Sequence, residues 1–320
     1  MPYTRLGDLQ IPENFAEYVV QETVNRNRFT NCGLVEFNAG LTEFARQGGF
    51  TGHFPFYNQL NPGVVEDLDQ DVELTINNVT TGRESYFTHA RGVSFGSQDL
   101  NVAFNNNRND PIGAIAGMMG TFWSNNLNTD ILATLQGVFG DVTMADHIED
   151  AIGNPLDGSI IIDAAQRIGD ASSDLSIIIM HSITYAHLKK LQLIDFLREV
   201  DSPAEIPFYL GKRVVVDDSV PFDTIGNETI SFLAAPGAIQ YAANLAKIPY
   251  EIGRNKLLGL DYMVSRSQHI LFPRGFACDA SAIAGITPTR TEVADGTVVF
   301  ERVVDPKLVK LVAILHDATD

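Results

Sequence analysis

Between Asp110 and Gly140, apolar residues recur at Ile112, Ile115, Met119, Phe122, Trp123, Leu127, Ile131, Leu135, Val138 and Phe139. That is one stripe at the 3.6-residue period of a helix. Asp110 stands where a carboxylate accepts from the free N–H groups of a first turn, and Pro111 where a missing N–H costs nothing. Gly140 supplies the stop, because glycine enters the left-handed region freely. A helix of this span is about 45 Å long at 1.5 Å per residue, enough to brace a flat subunit. Ahead of it, Ile11, Phe15, Val19 and Val20 predict a short helix after Pro12, and Leu41, Phe44 and Ala45 a second ending at Gly48-Gly49. Neither piece is long enough to be stable alone, so residues 1–50 read as a docking arm.

The period changes at residue 51. HFPFYNQL, and Val72, Leu74 and Ile76 on one face of VELTINNVT, predict two long strands over 51–88 joined by an acidic tip with Glu66, Asp67, Asp69 and Asp71. A lone hairpin is marginal in water, so this one must lie on another surface. The tip lacks the ordered spacing of a calcium loop, and a solvated turn is the cheaper reading. A strand is expected at Ala90–Phe95, then turn chemistry in NNNRND.

Residues 153–258 read as an α/β unit. Its expected elements are a helix over Ile160–Ile168, a buried strand over Leu175–Met180 and a helix capped by Ser182 and running to about Leu193. Strands at Arg213–Val216 and Ile230–Ala234 follow, and Pro236 opens a helix in PGAIQYAA. The stretches YMVSRSQHILF, VVFERVV and LVKLVAILH predict closing strands, a narrow sheet beside the long helix.

A formal net charge of −18 over 320 residues, with no basic block, argues against a protein that grips nucleic acid. The start, MPYTRLGDLQ, shows no signal peptide, and no apolar run approaches the ~20 residues of a membrane span. Cys32 and Cys278, far apart in the chain, are expected to be reduced thiols.

Catalytic patterns are sparse. The chain has no Walker-type loop, no G-x-G-x-x-G after a strand and no G-x-S-x-G elbow. His181 and His187 lack the i, i+4 spacing of paired helical ligands. Asp217-Asp218 at a strand end is the best metal candidate, although Ser219 and Pro221 make a turn the simpler explanation. Gly113, Gly117 and Gly120 suggest close helix–strand packing. No catalytic, cofactor-binding or metal residue is assigned. The docking arm, the unsupported hairpin and the long helix each expose surface that a monomer cannot bury, which points to a self-assembling structural protein.

Several stretches, in order over almost the whole chain, resemble the major capsid proteins of tailed bacteriophages. They are Tyr3–Tyr18, DPIGAIAG with Trp123, GKRVVVDDSVP at 211–221, FLAAPGAIQYA at 232–242, SRSQHILFPRG at 265–275 and VFERVVDPKLVKLV at 299–312. The resemblance implies the α+β Hong Kong 97 phage fold. Residues 1–50 would be the N-terminal arm and 51–88 the extended E-loop. Residues 89–152 and 259–320 would form the peripheral domain, with spine helix 110–139, and 153–258 the axial domain. It implies hexamers and pentamers in an icosahedral virion shell around double-stranded DNA, assembled in the bacterial cytoplasm with a scaffolding protein and a portal.

Some capsids of this fold weld subunits through an E-loop lysine. Here the first lysine is Lys189, so a shell without isopeptide links is expected. Ser267, Gln268 and Phe272 replace basic or histidine residues common in relatives. Two other readings stand beside this one: an encapsulin-like compartment, and a metal-dependent α/β enzyme using Asp217, Asp218 and His181.

Overall fold

The computed structural model describes residues 27–46, 50–58, 60, 65–68, 73–98, 111–198, 205–244 and 246–319. The helix expected after Pro12 and the NNNRND turn, with the Asp110 cap, lie outside them. Short helix α1 (Arg28–Asn31) is capped by Asn27, whose side chain accepts from Phe29 and Thr30 N–H. Strand β1 (Val35–Phe37) and helix α2 (Ala39–Arg46) follow.

Strand β2 (Thr51–Tyr57) pairs antiparallel with the first third of β3 (Thr81–Gln98), Thr51 opposite Phe87 and Tyr57 opposite Thr81. Of the expected second arm, Val72 lies outside the described residues and 73–76 is not a strand. Residues 73–80 are exposed and irregular, because an apolar face facing only water gives a ladder nothing to pack on. The strand expected at Ala90–Phe95 is the far half of β3, whose 18 residues run unbroken.

Helix α3 (Pro111–Phe139) is the long helix, with the expected bounds. From Leu127 to Phe139 it is buried nearly all round rather than along one stripe. Leu132, Ala133 and Thr134, which lie between the expected apolar positions, are all inside. Its stop also differs in mechanism. Gly140 does not take a positive φ. The chain turns instead into a 3-10 segment, Val142–His147, capped by Asp141 accepting from Thr143 N–H.

The next elements are β4 (Ile148–Pro155), α4 (Gly158–Gln166), β5 (Ile177–Met180), α5 (Ser182–Lys190), β6 (Asp195–Arg198), β7 (Glu205–Tyr209), β8 (Lys212–Val216) and β9 (Glu228–Ala234). Then come β10 (Ile239–Asn244), β11 (Tyr250–Asn255), β12 (Leu260–Pro273), β13 (Phe276–Asp279), α6 (Arg290–Ala294), β14 (Val299–Arg302) and β15 (Leu311–Asp317).

The helix expected after Pro236 is strand β10. Gly237 turns the chain with φ +70°, and Ala238 N–H closes onto the Ala235 carbonyl. Beyond it side chains alternate: Ile239 and Tyr241 join the main core, while Ala242 joins a smaller cluster with Leu41, Tyr86 and Ile270. Helix α5 is capped by His181 rather than Ser182, through Nδ1 accepting from Ile183 N–H.

Two large sheets result. One runs β4-β15-β9-β5-β8-β7-β6 and the other β1-β10-β12-β3-β2, with β11 on the same edge of β12 as β10. The last strand therefore does not complete a narrow sheet beside the long helix. It enters the α/β sheet between β4 (parallel) and β9 (antiparallel). Strands β10 and β11, from within 153–258, join the other sheet, so strand pairing crosses the boundaries drawn at 153 and 258. In the buried run of β5, Ile177 and Ile179 point to the core shared with α3, and Ile178 and Met180 to the cluster under α4 and α5. Phe139 at the end of α3 stacks on Phe232 of β9, with 5.7 Å between ring centroids.

Candidate functional site

Asp130 is the single charged residue on α3, and its carboxylate is fully buried. A buried anion is tolerated only when paired, and four side chains surround this one. Arg290 on α6 donates from Nε to Oδ1 at 2.6 Å and from Nη2 to Asn126 Oδ1 at 2.6 Å. Arg91 on β3 brings Nη2 to 3.5 Å from Oδ1 and donates from Nη1 to the Pro288 carbonyl. His269 Nε2 lies 3.4 Å from Oδ2. His269 sits directly opposite His89 in the β12–β3 ladder, and their rings stack at 5.1 Å and 12°. The cluster therefore ties α3, β3, β12 and α6 at one point.

The electrostatics follow from burial and neighbours. Burial alone would push the Asp130 carboxyl up. The neighbouring His269, 3.4 Å away, and the hydrogen bond from Arg290 outweigh it and hold the group far below the usual carboxylate range. Burial, then the neighbouring His269, pushes His89 well below an ordinary histidine, against the pull of Asp130.

His89, Asp130 and His269 form the only group of three ligand-type side chains with convergent atoms among the described residues. Two observations argue against an ion there. The imidazole planes are nearly parallel, so lone pairs lying in those planes do not converge on one point. Arg91 Nη2 also lies 3.3 Å from His89 Nδ1. A guanidinium only donates, so Nδ1 accepts and the ring proton sits on Nε2, which leaves neither nitrogen of His89 with a free lone pair for a metal. The arrangement binds an internal carboxylate and fastens a helix.

The residues singled out in the sequence do not meet. Asp217 is buried at the end of β8, where Oδ1 accepts from Ser219 N–H at 2.9 Å and Oδ2 lies 3.8 Å from Arg28 Nη1. Asp218 is exposed on the turn. His181 caps α5 and stacks on Phe222. No metal group forms from these three among the described residues. The acid–His–Arg cluster was missed because its members have no local spacing. The available signal was a lone Asp inside an apolar helix.

The surface carries a second kind of information. Leu60, Val65, Leu68, Leu74, Ile76 and Val79, all in the loop joining β2 to β3, are exposed. A groove of about 750 Å³ opens beside the end of α3, between Phe139, Ile148, Phe222 and Leu315. Such apolar exposure marks association sites. No helix among the described residues is long and apolar enough to cross a membrane.

The chain is 33% identical to the major capsid protein of Bacillus phage SPP1 over 325 aligned positions, covering 99% of each. It belongs to the tailed-phage major capsid proteins. No family model matches it. Among solved structures, the Cyanophage Pam1 capsid aligns over 92% of this chain and 93% of its own, at 12% identity and TM-score 0.55. The mature capsid of bacteriophage PhiM1 aligns over 84% and 82%, at 12% identity and TM-score 0.51. A chain of Mycobacterium phage Bobi aligns over 84% and 86%, at 11% identity and TM-score 0.51. The mixed α+β fold of this capsid protein is thus the one shared by phage capsids, consistent with the Hong Kong 97 type. Its role is structural, in a multimeric shell of the virion.

Proposed function

We propose that this capsid protein closes into hexamers and pentamers of an icosahedral head around double-stranded DNA, in the host cytoplasm, with a scaffolding protein and a portal as partners. The observation that carries the reading is the 33% identity to a phage major capsid protein across 99% of both chains. The exposed apolar loop between β2 and β3 supports it as an extended E-loop that gains burial only on a neighbour. The seven-stranded sheet with α4 and α5 supports an axial unit, and the β3–β12 sheet with α3 a peripheral unit whose spine is α3. The shell is held without isopeptide links, since 51–88 has no lysine. The acidic balance suits an inner wall that does not hold DNA tightly. Kinship to a phage protein favours a head over an enzyme-holding compartment.

Electron microscopy of the purified protein, alone and co-expressed with neighbouring phage genes, tests this. Closed shells, or rings of five and six, are expected. Uniform small particles under every condition would reject it. Enclosed DNA against enclosed protein separates a head from a compartment.

A further inference from the structure

The groove beside the end of α3 has an apolar floor and a negative rim. The floor is one face of the α/β sheet, where Leu315 of β15 sits opposite Ile230 of β9, and Ala313 opposite Ile148 of β4. The other face of this sheet packs under α4 and α5. On this face Ile148, Ile230 and Leu315 are only half-buried, and Ile152 at the mouth is 47% exposed. Phe139 of α3 and Phe222 of the loop between β8 and β9 supply aromatic wall. The volume of about 750 Å³ falls within the range of small-molecule sites, roughly 300–1,000 Å³.

Three negative features meet no cation there. Asp223 and Glu228 line the groove, whereas no lysine, arginine or histidine does. Asp223 accepts from Ile225 N–H through Oδ1 at 2.9 Å, and nothing among the described residues donates to its Oδ2 or to the Glu228 carboxylate. The third feature is the C-terminal end of α3, which reaches the groove at Gln136, Phe139 and Gly140. Its last turn carries no basic residue. Gly140 N–H closes on the carbonyls of Gln136 and Gly137, while those of Val138 and Phe139 accept from no group among the described residues. A helix end left in this state favours a positive charge. Each exposed acid alone is worth little in salt, but here both stand with the helix end beside aromatic rings, whose faces also attract an ammonium.

We infer that this groove is a binding site for a small organic cation, an amine on a compact aromatic or aliphatic body. The body lies on the Ile230–Leu315 floor, and the ammonium sits at the rim with Asp223, Glu228 and the end of α3. The inference concerns the single subunit and does not rest on the proposed shell.

The test titrates the full chain, as dispersed subunits and as shells, with phenylbutylamine, the matching alcohol and the matching carboxylate, read by calorimetry and thermal melts. At low salt the amine is expected to bind dispersed subunits about tenfold more tightly than the alcohol and to raise the melting temperature, with the carboxylate weakest. Asp223→Asn combined with Glu228→Gln is expected to cut the advantage of the amine to about threefold and to leave the alcohol unchanged. Ile152→Trp, at an exposed position on the mouth, is expected to weaken all three ligands. Equal affinity for amine and alcohol, or no binding of the amine by dispersed wild-type subunits, would overturn the site. So would amine binding that Ile152→Trp leaves unchanged. Binding that shells lose while dispersed subunits keep it would assign the groove to a neighbouring copy and overturn the site as well. None of these results touches the capsid reading, which is decided by whether shells form.

Discussion

Arg290 closes on Asp130 across 160 residues of sequence, Nε to Oδ1 at 2.6 Å, and joins the short helix α6 to the middle of α3. Removing one partner of a buried pair leaves the other charge uncompensated, which costs more than the pair was worth. Asp130→Asn keeps the shape and removes the charge, with two guanidiniums left behind. It is expected to destabilise the subunit by about 3–5 kcal/mol, read as a shift in urea midpoint at unchanged slope. A loss below ~1 kcal/mol would mean the cluster is solvated in solution.

Acid should weaken the fold in two stages. His89 and His316 have folded pKa values lowered chiefly by burial. Below the unfolded histidine value of about 6.5, the unfolded chain takes up protons that the fold refuses, so stability falls with pH. The slope is up to about 1.4 kcal/mol per pH unit for each group. Asp130 acts later, because its folded pKa is depressed below an unfolded value of about 3.9. Its contribution stands above that pH and is lost as pH falls toward the folded value. Denaturant midpoints between pH 7 and 5 should decline, and less so in His89→Gln. A flat profile would show that His89 is protonated in the fold.

Divalent zinc or nickel should leave the melting temperature unchanged, because parallel imidazoles offer no convergent pair of lone pairs to an ion. A site occupied at a hundred times its dissociation constant would add about 2.7 kcal/mol, a shift a thermal melt resolves easily. A metal-dependent rise that disappears in His269→Ala would refute the geometric argument.

At Gly137, α3 runs against the backbone of α6. A methyl there would overlap the Val293 carbonyl oxygen and press on the Phe300 ring at 2.9 Å. Because the main obstacle is backbone, Gly137→Ala is expected to cost about 1–3 kcal/mol despite alanine's better helix propensity. A stabilised variant would show that α6 moves freely.

Shells boiled in reductant should run as a single band near 35.0 kDa. A covalent ladder under those conditions would mean that an amine outside the lysine-free 51–88 loop makes the links.

Residues with local causes were legible in the sequence. Pro111 and the apolar period set α3, and four consecutive large apolar residues set β5. What escaped depends on distant partners. PGAIQYAA has helical composition, yet Ile239–Asn244 is a strand because β1 and β12 offer ladders on both sides. Val72, Leu74 and Ile76 alternate like a strand, but the described residues 73–80 have none beside them. The Asp130 cluster draws on four segments, and no window of sequence holds two of its charged partners at a diagnostic spacing.

Strand β15 lies between β4 and β9, and both of them precede it in the chain. During synthesis, β4 waits without a ladder neighbour and β9 keeps an open edge until Leu311–Asp317 leaves the ribosome. Contacts this distant in sequence form slowly, and open edges invite the wrong partners. A subunit truncated before Leu311 would leave β4 unpaired and one edge of β9 open, so completion of this sheet waits on Leu311–Asp317.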